Sequence, residues 1–167
     1  LQILYDVHGE TRLPERELDH LEGFAGSRPV RIGNDARSQL QLDIYGEVID
    51  TVHEFVCRGG RLDRARSRML VGFGETVCRR WQEPDEGIWE IRGERLPHTY
   101  SKAMCWVALD RLIALHEHRH LRIPLARFRA TRAAIREAVE RHGYNDALQS
   151  YVSVFDGHDV DASLLLL

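Results

Sequence analysis

Four stretches of helically spaced apolar residues, each followed by a Gly or Pro stop, constrain this chain more than any other feature of it. From Asn34 or Asp35, either a good N-cap, the positions Leu40, Ile44, Val48, Val52 and Phe55-Val56 recur at helical spacing until Gly59-Gly60. A second run passes through Leu70, Phe73, Val77 and Trp81 and breaks at Pro84. A third covers about Thr99 to Leu115 and carries Ala103, Met104, Val107, Ala108, Leu112 and Leu115 on an apolar face broad enough to predict burial. Pro124 suits the first turn of a fourth run, through Phe128, Ile135 and Val139 to Gly143, and a fifth starts near Asp161. Helix, short connection, helix, longer loop is the alternation of helical hairpins, in which the longer loops gather on one face. Ahead of them, residues 1–33 hold short β-like runs, Leu1 to Tyr5 and Pro29 to Ile32, among turn residues such as Gly9, Pro14, Gly23, Gly26 and Gly33.

Composition then excludes several classes of function. A net charge of -3 supplies no positive field with which to hold nucleic acid or an anionic membrane, so neither is expected as a partner. The three cysteines are far apart and form no CxxC, which favours a reducing compartment and a cytoplasmic location. No uninterrupted apolar run reaches membrane-spanning length. With 167 residues the chain is one domain or part of one. It begins at Leu1 and closes as a helix is starting, so the expectation is a fragment truncated at both ends.

The most unusual window is Glu83-Pro84-Asp85-Glu86-Gly87-Ile88-Trp89-Glu90-Ile91-Arg92-Gly93-Glu94, five carboxylates and a tryptophan in a loop between two helices. Loops held by rigid elements are where catalytic groups concentrate. Within it, Ile88, Trp89 and Ile91 flank Glu90 and could desolvate its carboxyl, favouring the protonated form that a proton donor needs. Trp89 can offer a flat apolar face to a sugar ring, and Arg92 a planar set of donors to hydroxyls. A solvated acidic loop is the bland reading of the same residues.

PDEGIWEIRG (84–93) and TYSKAMCWVALDR (99–111) resemble glycoside hydrolase family 15, the glucoamylases and their trehalase relatives. GSRPVRIGN (26–34), QLQLDIYGEV (39–48) and VFDGHDVDASLLL (154–166) fit the same family in the same order. The resemblance implies an all-α fold, a partial (α/α)6 barrel of about five helices with a loop-rich, short β-like N-terminal stretch. It implies that Glu90 is the general acid of an inverting glycosidase, with Trp89, Asp85 and Arg92 lining the sugar pocket. Asp43, Tyr45 and Glu47 would approach from a neighbouring helix end, Asp156 would face the site from the loop before the fifth helix, and Lys102 would hold a pocket carboxylate. The substrate implied is a small or oligomeric α-glucoside. The general base of such enzymes lies in a segment resembling LSEE, which these residues lack, and an inverting pair stands about 6.5–9.5 Å apart with water between.

Two other readings compete. His116-Glu117-His118-Arg119-His120 satisfies HExxH, which on a helix would put two zinc ligands on one face. It falls where the third helix should end, so a solvated helix terminus is expected there, and neither metal nor organic cofactor is. The hairpin alternation alone would also allow a non-catalytic helical scaffold or a degenerate sugar-binding relic. A scaffold has no need of Trp89-Glu90 in a long acidic loop.

Overall fold

The structure, a computed structural model, describes residues 2–90 and 93–166, in two compact units, Leu1–Gln39 and Leu40–Leu167. In the first, β1 (Arg16–Glu17) pairs antiparallel with β2 (Arg31–Ile32). The Arg31 guanidinium braces the pair, 3.2 Å from Glu15 and 3.1 Å from Glu17. Pro29 to Ile32 is thus partly strand, as expected, but Gln2 to Tyr5 is not. There the Asp6 carboxylate accepts the N–H groups of His8 and Glu10 and turns the chain, and Gln2 to Tyr5 pair with no strand among the described residues. The helix expected from Asn34 does not begin there either. The Asn34 side chain does accept the Ala36 N–H, but what it caps is a single 3-10 turn, Asp35–Ser38, and Gln39 is extended.

The second unit holds four α-helices among the described residues: α1 (Asp43–Cys57), α2 (Arg64–Arg80), α3 (Thr99–Glu117) and α4 (Leu125–His142). Their boundaries follow local chemistry in most places. α1 ends as Gly59 and Gly60 donate back to the carbonyls of Val56 and Phe55, both at 2.9 Å, satisfying groups the helix would otherwise orphan. Asp63 caps α2 by accepting the Arg66 N–H at 2.7 Å. Pro124 and Gly143 bracket α4. In place of a fifth α-helix, the described residues close in a 3-10 segment, Ala162–Leu166, started by Asp161 accepting the Ser163 N–H at 2.7 Å. Between α4 and that segment, β3 (Tyr144–Asn145) and β4 (Ser150–Tyr151) form a small antiparallel ladder that the sequence pattern did not foretell.

α3 is the helix the others pack on, as its broad apolar face predicts. Cys105, Ala108, Leu109 and Leu112 are fully buried, in one cluster with Ile49 of α1, Leu70 and Val77 of α2, and Phe128 and Ile135 of α4. α1 and α3 approach closely at Gly46, where any Cβ would overlap the Met104 carbonyl. They run in the same direction: Tyr100 meets Glu47 near both N-termini and Arg111 meets Asp50 further along. α2 and α4 therefore return the chain, which sets the 81–98 and 143–161 connections beside the N-terminal ends of α1 and α3. Gly143, at the end of α4, indeed packs against Thr99, at the start of α3. The short connections lie at the opposite end.

Candidate active site

The end where the long connections meet also collects buried polar side chains. Asp43, Asp85, Thr99, Ser101 and Lys102 are each 4% exposed or less, in a layer where apolar residues would otherwise be expected. Burying such groups is costly unless they are hydrogen-bonded or charge-compensated, and here the compensation is partial. Asp85 accepts the Leu42 N–H through Oδ2 at 2.9 Å, at the start of α1, where a carboxylate also meets the positive end of the helix. Its other oxygen, Oδ1, is buried with no hydrogen-bond partner among the described residues, and so is Oδ1 of Asp43. Lys102 donates through Nζ to the Glu83 carbonyl.

These groups tune one another. Burial first, then the Asp85 charge, pushes the Asp43 carboxyl up to about 6, so it titrates close to neutrality. Burial pushes the Lys102 ammonium down, and the Asp85 charge offsets part of that. Burial also carries the Cys105 thiol up to about 12, so it stays protonated beside Leu42, whose carbonyl lies 3.8 Å from its sulfur. Tyr100 donates to Glu47 at 2.5 Å, and its hydroxyl is held protonated by burial and then by that bond. Tyr45 is buried against Phe73 with ring centroids 5.6 Å apart, and burial raises its hydroxyl as well.

The 81–98 loop is fastened along its length. Asp85 exchanges backbone hydrogen bonds with Leu96, both at 3.0 Å. Glu86 donates its N–H to the Leu40 carbonyl at 3.0 Å, accepts the Leu40 N–H through Oε2 at 2.6 Å, and takes the Arg95 guanidinium on Oε1 at 3.0 Å. Gly87 (φ 67) lies so close to His98 that a Cβ would sit 2.9 Å from the imidazole. Trp89 donates from its indole nitrogen to Asp161 at 2.7 Å. Glu90 follows in the left-handed region at φ 52, a conformation that a non-glycine residue holds only where its surroundings impose it and that concentrates at functional sites.

The residues singled out in the sequence thus divide into groups. Asp43, Asp85 and Lys102 are brought together in the buried polar layer, with Tyr45 and Glu47 on the same helix as Asp43. Glu90 is half-buried and follows Trp89, which is 56% exposed. Of its expected apolar shields Ile88 is half-buried, whereas Ile91 and the candidate Arg92 lie outside the described residues. Asp156 is exposed and also left-handed (φ 58), 3.0 Å from the His142 imidazole. Two residues before it, Val154 pairs with His98, so its loop borders the 81–98 connection.

Tyr100 and Glu86 were missed. No local signal marks Tyr100 as the partner of Glu47, whereas Glu86 was visible only as one carboxylate among five. HExxH lies at the far end: α3 stops at Glu117, Arg119 takes φ 62, and His116 faces the Leu121 carbonyl at 3.1 Å. His116 and His120 therefore do not share a helical face, and among the described residues no group of three potential ligands is placed to hold a metal ion. Two grooves elsewhere, about 400 Å³ beside Trp106 and Tyr151 and about 540 Å³ beside Leu62 and Arg122, contain none of the predicted site residues. The three cysteines are free thiols, and no helix among the described residues is long and apolar enough to cross a membrane.

Comparison with known proteins adds to this geometry. The model of the family described as glycosyl hydrolases family 15 matches residues 1–167. The chain is 39% identical to a trehalase of Mycobacterium tuberculosis over 167 residues, all of this chain and 24% of that protein. It is 41% identical to a trehalase of Mycolicibacterium smegmatis, over 99% of this chain and 25% of the other, and 34% identical to a trehalase of Thermoplasma volcanium, over 100% and 27%. The chain thus spans about a quarter of the length of the curated relatives it matches. No solved structure was found to match it.

Proposed function

The chain belongs to glycosyl hydrolases family 15, and from that membership we propose that it carries the proton-donating half of a hydrolase that cleaves α-glucosidic bonds with inversion. Trehalose is the first substrate to consider, because the relatives at 34–41% identity bear the name trehalase. The four helices are read as part of an (α/α)6 barrel whose loop-bearing mouth holds the sugar.

Glu90 is the general acid in this reading. Its carboxyl proton passes to the glycosidic oxygen as the bond from that oxygen to C1 breaks, and the sugar departs as a neutral alcohol. Water attacks C1 from the opposite face and gives its proton to a base that lies outside this chain. Glu90 then regains a proton from solvent. What supports the assignment is the family membership together with the place of Glu90, in a left-handed turn within a loop fastened at Asp85, Glu86 and Trp89. Proton transfer requires the donor within hydrogen-bonding reach of the oxygen, and a fastened loop supplies such preorganisation.

Trp89, with its nitrogen held by Asp161, presents an exposed ring on which a sugar can stack. Asp156, Glu47 and Arg92 are proposed to bond hydroxyls, while Tyr45, Asp43, Asp85 and Lys102 form the buried floor. No cofactor is needed for these proton transfers, and a cytoplasmic location is part of the same proposal.

The test is to supply the purified full-length protein with trehalose and follow the first glucose released by proton NMR. Inversion gives one β-glucose and one α-glucose per trehalose before mutarotation. Release of α-glucose alone would mean retention and would remove the inverting scheme; no release from trehalose, with turnover of maltose, would move the substrate to α-glucans.

A further inference from the structure

We propose that Asp85 and Glu86 are positioning residues: two consecutive carboxylates that register the loop bearing Glu90 on the start of α1, with Lys102 as the buried counter-charge.

The geometry is specific. Glu86 accepts the Leu40 N–H at 2.6 Å and Asp85 accepts the Leu42 N–H at 2.9 Å, so adjacent side chains grip alternate amides of the segment leading into α1. The Glu86 N–H returns a bond to the Leu40 carbonyl at 3.0 Å. The two segments are therefore joined by two side chains and one main-chain bond, across more than forty residues of sequence. Arg95 meets the second oxygen of Glu86 at 3.0 Å, from the returning limb of the same loop. On the other side stands Lys102, the chain's single lysine against 22 arginines, 1% exposed. A lysine is almost never buried without a partner. Here Nζ donates to the Glu83 carbonyl, two residues before Asp85, and the nearby Asp85 charge offsets part of the cost of its burial.

Removing Asp85 would take away the largest charge that offsets the burial of Lys102, and removing Lys102 would leave Asp85 buried without that cation. The arrangement fixes the loop in register between α1 and α3, and Glu90 follows only four residues after Glu86. Errors in that register reach the acid's carboxyl, and displacement by about 1 Å can cost about 100-fold in rate. The inference rests on Glu90 being the acid.

The test separates the two. Glu90→Gln, Asp85→Asn, Lys102→Met, the double variant Asp85→Asn/Lys102→Met, and Glu86→Gln are made in the full-length protein. Each is assayed on the α-glucoside it cleaves best and on α-glucosyl fluoride, whose fluoride departs with far less need of a proton. Glu90→Gln sets the reference, a large loss on the glycoside and a small one on the fluoride. Asp85→Asn and Glu86→Gln are expected to follow the same pattern, with kcat lower by about 10- to 100-fold on the glycoside, less than about 3-fold on the fluoride, and KM within about 2-fold. The double variant should lose no more than the worse single one. Glu86, outside the fully buried layer, keeps the test valid if Asp85→Asn does not fold.

Equal losses of Glu86→Gln and Asp85→Asn on both substrates, or losses confined to KM or to melting temperature, would overturn the positioning role while leaving Glu90 in place. If Glu90→Gln shows no preference for the fluoride, the acid assignment falls and the positioning role falls with it.

Discussion

Replacing Asp43 by asparagine should change how stability depends on pH, in a direction the structure fixes. Asp43 is 4% exposed, one of its oxygens has no partner among the described residues, and burial followed by the Asp85 charge carries it from 3.8 to about 6. The folded state therefore binds this proton more tightly than the unfolded chain does. Its contribution is fully present below about pH 4 and is lost as pH rises through about 6, because ionisation then has to occur in a buried site. At 1.36 kcal/mol per tenfold change in proton affinity, the span from 3.8 to about 6 is worth about 3 kcal/mol. Asparagine keeps the shape and carries no charge, so the variant escapes the loss. Urea midpoints of wild type and Asp43→Asn, measured from pH 4 to pH 8, give the difference at each pH. That difference is expected to move in the variant's favour by about 2.5 kcal/mol between pH 4 and pH 8, the rest having been lost below pH 4, with most of the change between pH 4 and pH 6. Groups remote from Asp43 contribute equally in both proteins and cancel, so the difference reports Asp43 together with the charges coupled to it, Asp85 and Glu47. A difference independent of pH would refute the reasoning, whatever its absolute size.

Gly46→Ala should destabilise the protein by about 1–3 kcal/mol, because its methyl has to displace the Met104 backbone and hence α1 from α3; a melting temperature within a degree of wild type would contradict that packing. Trp89→Phe, which keeps a ring but loses the 2.7 Å bond to Asp161, should lower kcat/KM by about 10-fold with little change in melting temperature. Unchanged turnover would mean that the Asp161 tether does not orient the ring. Dialysis against a chelator should leave both activity and melting temperature unaltered, since α3 ends between His116 and His120; loss of either together with released zinc would reverse the reading of HExxH.

Most helix boundaries were legible because their causes are local. The Asp63 cap, the pair Gly59-Gly60, and Pro124 with Gly143 act within a turn or two of the residues they delimit. The start of α1 was not legible. Asn34 carries the right cap chemistry but spends it on a 3-10 turn, and the true N-terminus at Asp43 is defined by Asp85, 43 residues beyond Leu42. A strand-like composition at Gln2 to Tyr5 likewise meant little without a partner, and the two-residue strands β3 and β4 are too short to leave a periodic trace.

The site shows the same division. Five carboxylates and a tryptophan between two helices flagged the loop, and the resemblance pointed to Glu90 within it. The bond from Tyr100 to Glu47, the grip of Glu86 on Leu40 and the burial of Lys102 all depend on how α1 and α3 come together. That is tertiary geometry, which no spacing along the chain records. HExxH erred the other way: its spacing presumes a continuous helix, and Arg119 at φ 62 ends it.

The central claim is that Glu90 donates the proton, and the most direct measurement is turnover and sugar affinity together in the full-length Glu90→Gln protein. The amide keeps the size and the hydrogen-bonding shape of the side chain but has no acidic proton to give. General-acid assistance is worth about 10²- to 10⁴-fold, so kcat should fall by that factor while the dissociation constant for substrate, from calorimetry, stays within about 3-fold. A variant that turns over at close to the wild-type rate would remove Glu90 from the role and send the search for the acid back to the other carboxyls of the layer, Asp43 first.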